Sequence, residues 1–474
     1  MSHYSRKQFL RSSGVLAAGA MLTPAAVLGG TGGATAGEGS KIAPFLKGLG
    51  FGKSELRIGF IGTGLRGRNH VRNILTYEGA DGTVHCPAIC DIDPDAIERT
   101  KKLIAETGHP DPNVYTGSPN AYQEMLAKED LDGVIIATNW KWHTPISVDA
   151  MKQGVYTGVE VSGAFSVDEC WELIRTHEET GTHLFFLENV NYRRDVMAVL
   201  NMVRDDVFGS LLHLRGGYQH DLREVKFNDG QGGLLFGEGS YGEARWRTDH
   251  SIHRNGELYP THGLGPLHAM LNINRGNRLT TLSSFATSAK GLGQYVLDHP
   301  QGGEDHPYDD IEWSLGDVVT TTITTAKGQT LILTHDTNLP RPYSLGFRVQ
   351  GVKGLAEFDY HTRRVYVEGV SEPHRWDEWD GWFEKYDHPL WKTYGEIAVG
   401  GGHGGMDYFL NRAFVESVRT QTPATIDVYD AAVMRVITPL SEQSIREGGA
   451  PQQIPDFTNG SWMHRKPVFA LGNW

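Results

Sequence analysis

Three cysteines in 474 residues, Cys86, Cys90 and Cys170, are too few, and odd in number, for a disulfide framework, so the fold does not rest on cross-links. Cys86 and Cys90 have no CxxC partner or nearby His pair and read as buried structural thiols rather than zinc ligands. No clustered Lys/Arg run occurs and the formal net charge is −13, which argues against nucleic acid or an anionic membrane as partner. The HExxH, GxSxG and P-loop patterns are missing, which removes zincin, α/β-hydrolase and phosphate-loop chemistry. His177-Glu178-Glu179 lacks the second His of a zincin helix, so no metal site is expected. The 57 acids are scattered, and no pair for direct glycoside hydrolysis can be singled out among them. No internal repeat is present.

What is plentiful is rings and hydrogen-bonding tips: 11 Trp, 18 Tyr and 21 His, the groups that stack on and grip a neutral polyol. The length suggests two domains plus a leader. Residues 1–39 read as an export signal and linker, with a basic start, a short apolar stretch and small residues thereafter. The apolar part, Val15 to Leu28, is shorter than the roughly 20 residues that span a bilayer and is broken by Pro24, so no membrane span is expected. Ser5-Arg6-Lys7-Gln8-Phe9-Leu10 resembles a twin-arginine signal with Lys7 in place of the second arginine. Export to the periplasm follows, and the twin-arginine route would suit a protein that folds around its cofactor first.

Leu56 to Ile61 is a short apolar run ending in Gly62-Thr63-Gly64-Leu65-Arg66-Gly67, followed by a helical pattern through Val71, Ile74 and Leu75. In a strand, glycine turn and helix of this kind Gly62 makes the tight turn, Gly64 admits a pyrophosphate and Gly67 lets the helix pack closely. The helix N-terminus then holds the phosphates. Pro87 to Cys90 reads as a second strand that delivers Asp91 at the place of the ribose-binding acid, which favours NAD, while Arg66 and Arg68 keep NADP open. Leu131 to Ala137, Val155 to Val161 and His183 to Leu187 read as further strands buried on both faces. Their ends carry Trp140-Lys141-Trp142-His143, Glu160-Val161-Ser162 and Glu188-Asn189-Val190-Asn191-Tyr192. Glu160, Asn189 and Tyr192 are thus expected at one cleft, or as satisfied structural polar groups.

After a helix over Asp195 to Val207 the texture changes to alternating strands, Leu211 to Tyr218, Val318 to Thr325 and Gln329 to His335. The fold class is therefore α/β: an N-terminal Rossmann doubly wound parallel sheet, residues 50–190, and a C-terminal α+β domain with a mainly antiparallel open sheet, residues 191–450. A tail, residues 451–474, packs on the core. Gln219 to His262 is polar, Gly-rich and longer than an ordinary connection, which marks it as functional or poorly packed. His403-Gly404-Gly405-Met406-Asp407 reads as a helix start and packing feature.

The segments GLRGRNHV, NWKWH, GVEVSGA, ENVNYRRDVMAVLNMVR, GGYQHDLR, RNGELYPTHGLGPLH, GGHGGMDYFL and IPDFTNG resemble glycoside hydrolase family 109, the NAD-dependent α-N-acetylgalactosaminidases, within the glucose-fructose oxidoreductase and inositol dehydrogenase superfamily. The resemblance covers nearly everything after the leader. It implies that Leu65, Arg66, Asp91, Trp140, Trp142, His143, Glu160, Val161, Asn189 and Tyr259 bind NAD. It implies likewise that Tyr218, Arg247, Tyr259, Thr261, His262 and Tyr343 bind the sugar. Most of the superfamily carries Glu-Lys-Pro where this chain has Glu160-Val161-Ser162, so the usual catalytic lysine is missing. The implied reaction is hydrolysis of a terminal α-linked N-acetylgalactosamine through transient oxidation at C3, elimination, water addition and re-reduction, with retention and with NAD tightly bound and recycled. His262 and Tyr192 are the candidates for proton transfer. A periplasmic NAD(P)-dependent sugar oxidoreductase and a noncatalytic sugar-binding protein are the competing readings. The partner in each is a small or glycan-terminal sugar, and a homo-oligomer is compatible with all three.

Overall fold

In the computed structural model, which describes residues 52–359 and 362–471, β1 (Leu56–Ile61) is buried along nearly its whole length. Both faces of its sheet are covered, which is why LRIGFI is a continuous apolar run and not an alternation. With it run β2 (Val84–His85), β3 (Ala88–Cys90), β4 (Asn113–Tyr115), β5 (Gly133–Ile136), β6 (Tyr156–Val159) and β7 (Leu184–Phe186). All pair in parallel. The order is β4-β3-β1-β5-β6-β7, with the two-residue β2 beside β1. Leaving β2 aside, this is the dinucleotide-binding order, whose direction reverses between β1 and β5. The helices that cover the sheet carry their own start signals. Asp93 accepts the Asp95 N–H at the head of Pro94–Glu106, and Pro94 takes a first position that needs no N–H. Ser166 accepts the Glu169 N–H at the head of Val167–Thr180, which stops at the left-handed Gly181, φ +69°.

The second sheet contains β8 (Leu211–Gln219), β9 (Leu279–Ala286), β10 (Val318–Thr325), β11 (Thr330–Asp336), β12 (Phe347–Gly351), β13 (Gly354–Phe358), β14 (Arg363–Val367), β15 (Asp377–Glu378) and β16 (Gln452–Gln453). The order is β15-β14-β13-β12-β8-β11-β10-β9-β16. β10 buries alternate residues, as a sheet with one solvated face requires. Neighbours are antiparallel except at the centre, where β11 runs parallel to β8. The sheet is therefore mixed, which side-chain alternation alone cannot reveal because it reports the face and not the direction of a strand.

The long segment Gln219 to His262 is structured rather than loose. It contains the helices Arg223–Lys226 and Arg247–His253 and the turn Gly242–Arg245. Its Phe227 and Leu234 form a small separate core with Leu292 and Val296.

The chain closes back on its beginning. The helix Met406–Thr420 lies under the first sheet, with the Phe414 ring edge-on to those of Tyr156 at 6.0 Å and Phe185 at 6.2 Å. A Cβ on Gly158 would stand 2.7 Å from Phe414, so the bare glycine makes this docking possible. The two sheets belong to one compact unit and share one apolar core. In the tail, β16 extends the second sheet, Phe457 packs 4.7 Å from Trp171 and Phe469 packs 5.1 Å from Tyr192. Cys86, Cys90 and Cys170 are free and buried, and burial pushes the Cys170 thiol up to about 12. Among the described residues no helix is long and apolar enough to cross a membrane. The expected export signal and linker, residues 1–39, lie outside the described residues, as do residues 472–474.

Candidate active site

A cavity of about 620 Å³ lies over the carboxyl ends of β1 and β5, where the order of the first sheet reverses. Gly62 holds φ +84°, and a Cβ there would stand 2.6 Å from the Ala137 carbonyl carbon. Only glycine fits that turn. A Cβ on Gly67 would stand 1.8 Å from the Gly62 oxygen, so Gly67 sets the close packing of helix on turn without lining the cavity. Gly64 lines it, and a Cβ there would meet nothing within 4 Å, which leaves backbone open to an incoming group. Leu65, half exposed, and Asp91 line the same end. Asp91 accepts the Thr63 N–H at 2.5 Å and the Asp93 N–H at 2.9 Å. Part of the long segment crosses over this end. Arg245 donates to Asp93 at 2.7 Å, Arg99 lies over the Tyr241 ring at 5.8 Å, and a Cβ on Gly242 would stand 3.2 Å from Leu65.

Arg66 does not reach for a ribose phosphate. Its Nε donates to Glu160 at 2.6 Å and its terminal nitrogen to Asp407 at 2.7 Å. Burial opposes the charge on Arg66, but the two carboxylates outweigh it and hold the guanidinium above its ordinary range. Burial likewise opposes ionisation of Glu160, and Arg66 with His70 overcomes it, holding that carboxyl down to about 2. Glu160 also accepts the Val161 N–H at 3.0 Å, which fixes Val161 as an apolar wall of the cavity. Asn189 donates to Asp407 at 2.8 Å. His143 donates from Nε2 to the Thr138 carbonyl at 3.0 Å and lies 3.1 Å from the Ser162 hydroxyl. Burial and Arg435 hold this imidazole down to about 4, so it staples the loop Trp140–Trp142 in neutral form. Trp140 and Trp142 both face the cavity.

At the other end His262, at the start of the helix Thr261–Met270, faces the cavity. Its Nδ1 stands 3.0 Å from both oxygens of the fully buried Glu188. A carboxylate only accepts, so Nδ1 carries the proton and Nε2 is the nitrogen left for a ligand. The rings of Tyr259 and Tyr218 stand 4.9 and 5.3 Å from the imidazole. Burial pushes the Tyr218 phenol up to about 12 and that of Tyr259 higher still, so both remain O–H donors. Arg247 pairs with Glu243 at 2.5 Å and lies over Trp140 at 4.9 Å and Tyr259 at 5.4 Å. This is an aromatic, hydrogen-bonding end with one imidazole keyed by a buried acid.

Three expected residues stand elsewhere. Tyr192 is turned away from the cavity: its hydroxyl meets Thr425 at 3.1 Å, its ring packs on Phe469, and burial raises its pKa far above neutrality. It has no proton-transfer role here. Tyr343 stands behind the cavity wall, 6.5 Å from Tyr218 and 5.3 Å from His220. Thr261 is fully buried beside His262 and does not line the cavity. The structure adds Glu188, His220, Trp246, His403 and Asp407. Glu188 follows the third of the buried runs, His183 to Leu187, and His220 and Trp246 fall in the long polar segment, whereas His403 and Asp407 read as a helix start and packing feature. Among the described residues, no three His, Cys, Asp or Glu side chains are grouped to hold a metal.

The bare Gly64, the acid after β3 and the helix N-terminus at Leu65 fit a dinucleotide, with Glu160, Val161 and Asn189 in reach of its far half. Such a site on such a sheet defines an NAD-binding oxidoreductase-type fold. Residues 56–187 match the oxidoreductase family NAD-binding Rossmann fold, and residues 192–464 match the glycosyl hydrolase 109 C-terminal domain. An α-N-acetylgalactosaminidase of Tannerella forsythia is 54% identical over 430 residues, covering 89% of this chain and 90% of its own. A glycosyl hydrolase family 109 protein of Parabacteroides distasonis is 49% identical, covering 98% and 99%. The chain belongs to glycosyl hydrolase family 109. Its fold is shared with solved dehydrogenases. A levoglucosan dehydrogenase in complex with NADH and L-sorbose superposes with a TM-score of 0.60 at 16% identity over 85% of this chain and 99% of that one. An NAD-binding oxidoreductase of Klebsiella pneumoniae superposes with a TM-score of 0.61 at 15% identity over 85% and 100%.

Proposed function

We propose that this glycosidase is an exported enzyme that removes terminal α-linked N-acetylgalactosamine with retention, using an NAD that stays bound through each turnover. The observation that carries this reading is one continuous cavity joining the glycine turn to the His262–Glu188 pair. The name of the Tannerella forsythia relative supports the sugar and the anomer. When bound, NAD supplies reversible hydride exchange at C3 of the sugar, so that the ring passes through a 3-ketone with an acidic C2–H.

Everything else falls to the chain. His262, with Nδ1 fixed by Glu188, offers Nε2 as the base, and loss of the C2 proton expels the group at C1. Water then adds to the unsaturated ring and C3 is reduced again, which leaves net hydrolysis. Tyr218 and Tyr259 supply neutral O–H donors to the sugar, and Arg247 orders them. Val161 keeps an ammonium out of the place where superfamily dehydrogenases carry lysine. The Arg245–Asp93 pair straps the long segment over the dinucleotide end, which supports retention of the cofactor. The leader residues Ser5 to Leu10 support export, a route along which free NAD is scarce.

The test is a panel of nitrophenyl glycosides in heavy water with no NAD added, followed by NMR of the released sugar. Cleavage of the α-N-acetylgalactosaminide with deuterium at C2 and no net NADH is expected. Net NADH with a lactone product would make the protein an oxidoreductase, and an NAD-loaded protein that releases nothing would end the glycosidase reading.

A further inference from the structure

We propose that residues 237–245 are a lid over the adenosine half of the dinucleotide, and that NAD enters and leaves when this lid lifts. The proposal rests on the NAD-binding reading above and adds to it the route of exchange. Asp91 marks the adenosine end, because the acid that follows this strand of a dinucleotide-binding sheet meets the ribose hydroxyls. Tyr241, Gly242 and Arg245 line the cavity together with Asp91, Asp93 and Arg99. One wall of this end therefore comes from the second domain and the other from the first. The far half of the site offers no such movable wall, since Glu160, Val161, Asn189 and Tyr259 are all buried.

The lid is held unequally on its two sides. Its neck is closed by the Gly237 N–H, which donates to the Ala244 carbonyl at 3.0 Å, and inside it Arg245 donates from Nε to the Ser240 carbonyl at 2.7 Å. It is a compact loop whose ends meet, so it moves as one piece. Its root belongs to the second domain. Phe227 packs with Leu292 and Val296 in the small separate core, and Lys226 donates to the Thr337 hydroxyl at 3.0 Å, just past β11. The far edge meets the nucleotide domain only through groups already named: Arg245 on Asp93, Tyr241 under Arg99, and Gly242 beside Leu65. That ion pair is open to water, its side chains 42% and 24% exposed, and such pairs hold weakly. At the neck Gly237 and Gly239 hold φ +78° and +81°, and a Cβ on either would meet nothing within 4 Å. Backbone rotation there is unobstructed.

The experiment follows exchange of bound NAD for labelled NAD in the holoenzyme. Wild-type exchange should quicken with salt, which screens the Arg245–Asp93 pair. D93N keeps the helix cap and removes the charge, so exchange should start about threefold faster, lose most of its salt dependence and leave melting near wild type. The three native cysteines are buried, so a short bismaleimide can join D93C to R245C. Joined, this double variant should exchange roughly tenfold or more slowly than unjoined, while the NAD already bound still supports glycoside cleavage. Equal exchange in the joined and unjoined forms would overturn the lid. If the double variant does not fold, D93N decides: a wild-type rate with wild-type salt dependence would overturn it. A wild-type protein that neither holds nor takes up NAD would instead overturn the cofactor reading on which the lid rests.

Discussion

His262 and His403 each give Nδ1 to a buried carboxylate, and each faces the same cavity, yet their surroundings differ. His262 is enclosed by two phenol rings, and its partner Glu188 also accepts the Val190 N–H at 2.8 Å. His403 is half exposed, and its partner Asp407 is already engaged by Arg66 and Asn189. One pair sits against the rings of Tyr218 and Tyr259. The other is one corner of a charged lattice with Arg66, Asp407, Asn189 and Glu160. An imidazole beside an acid acquires its role from the third neighbour.

If that contrast holds, H262A removes a proton-transfer group and lowers kcat on the order of 10³-fold while bound NAD, measured by extraction, stays near wild type. A decline in NAD content as large as that in turnover would erase the distinction. Breaking the other side costs stability instead. R66M strands Glu160 and Asp407 in the interior and should lower unfolding free energy by about 3 kcal/mol in a urea titration at neutral pH.

The same lattice sets the acid limit. Glu160 is held down to about 2 by Arg66 and His70 against burial, whereas an unfolded carboxyl titrates near 4. Its stabilisation is present above about pH 4 and lost as pH falls towards 2, because the unfolded chain then binds more protons. R66M should flatten that limb. Glu257 runs the other way. Burial, opposed by the Tyr259 N–H, pushes its carboxyl up to about 8. Stability from the neutral form is present below about pH 4 and lost as pH rises towards 8, so E257Q should gain on wild type between urea titrations at pH 5 and pH 8. The smallest effect belongs to Y192F, which loses one hydrogen bond to Thr425, about 1 kcal/mol, and keeps kcat within about twofold. A large fall in kcat would return Tyr192 to the site.

The nucleotide turn was legible because its glycines answer to local geometry: Gly62, Gly64 and Gly67 sit within one turn of chain. Asp91 was legible from the strand before it. The His262–Glu188 pair was not, since its members lie 74 residues apart and meet only when the helix Thr261–Met270 docks on the turn Asn189–Tyr192. Asp407 was read as packing because two of its partners, Arg66 and Asn189, lie far away in sequence and only His403 lies near it. Tyr192 misled for a definable reason. The turn Asn189–Tyr192 coils after β7, so Asn189 faces Asp407 and the cavity while Tyr192 swings to Thr425 and the tail. The parallel β8–β11 pair was invisible because alternation is blind to strand direction.

The docking of the helix Met406–Thr420 on the first sheet also orders events in time. Arg66 waits for Asp407, 341 residues further along. At roughly 5–20 residues per second of synthesis, that separation corresponds to on the order of 20–70 s during which the nascent nucleotide half lacks both its Phe414 floor and its acid partner. The amino-terminal half thus leaves the ribosome as an unfinished body. Its Phe414 floor and its Asp407 partner arrive only when the helix Met406–Thr420 has emerged and packed beneath it.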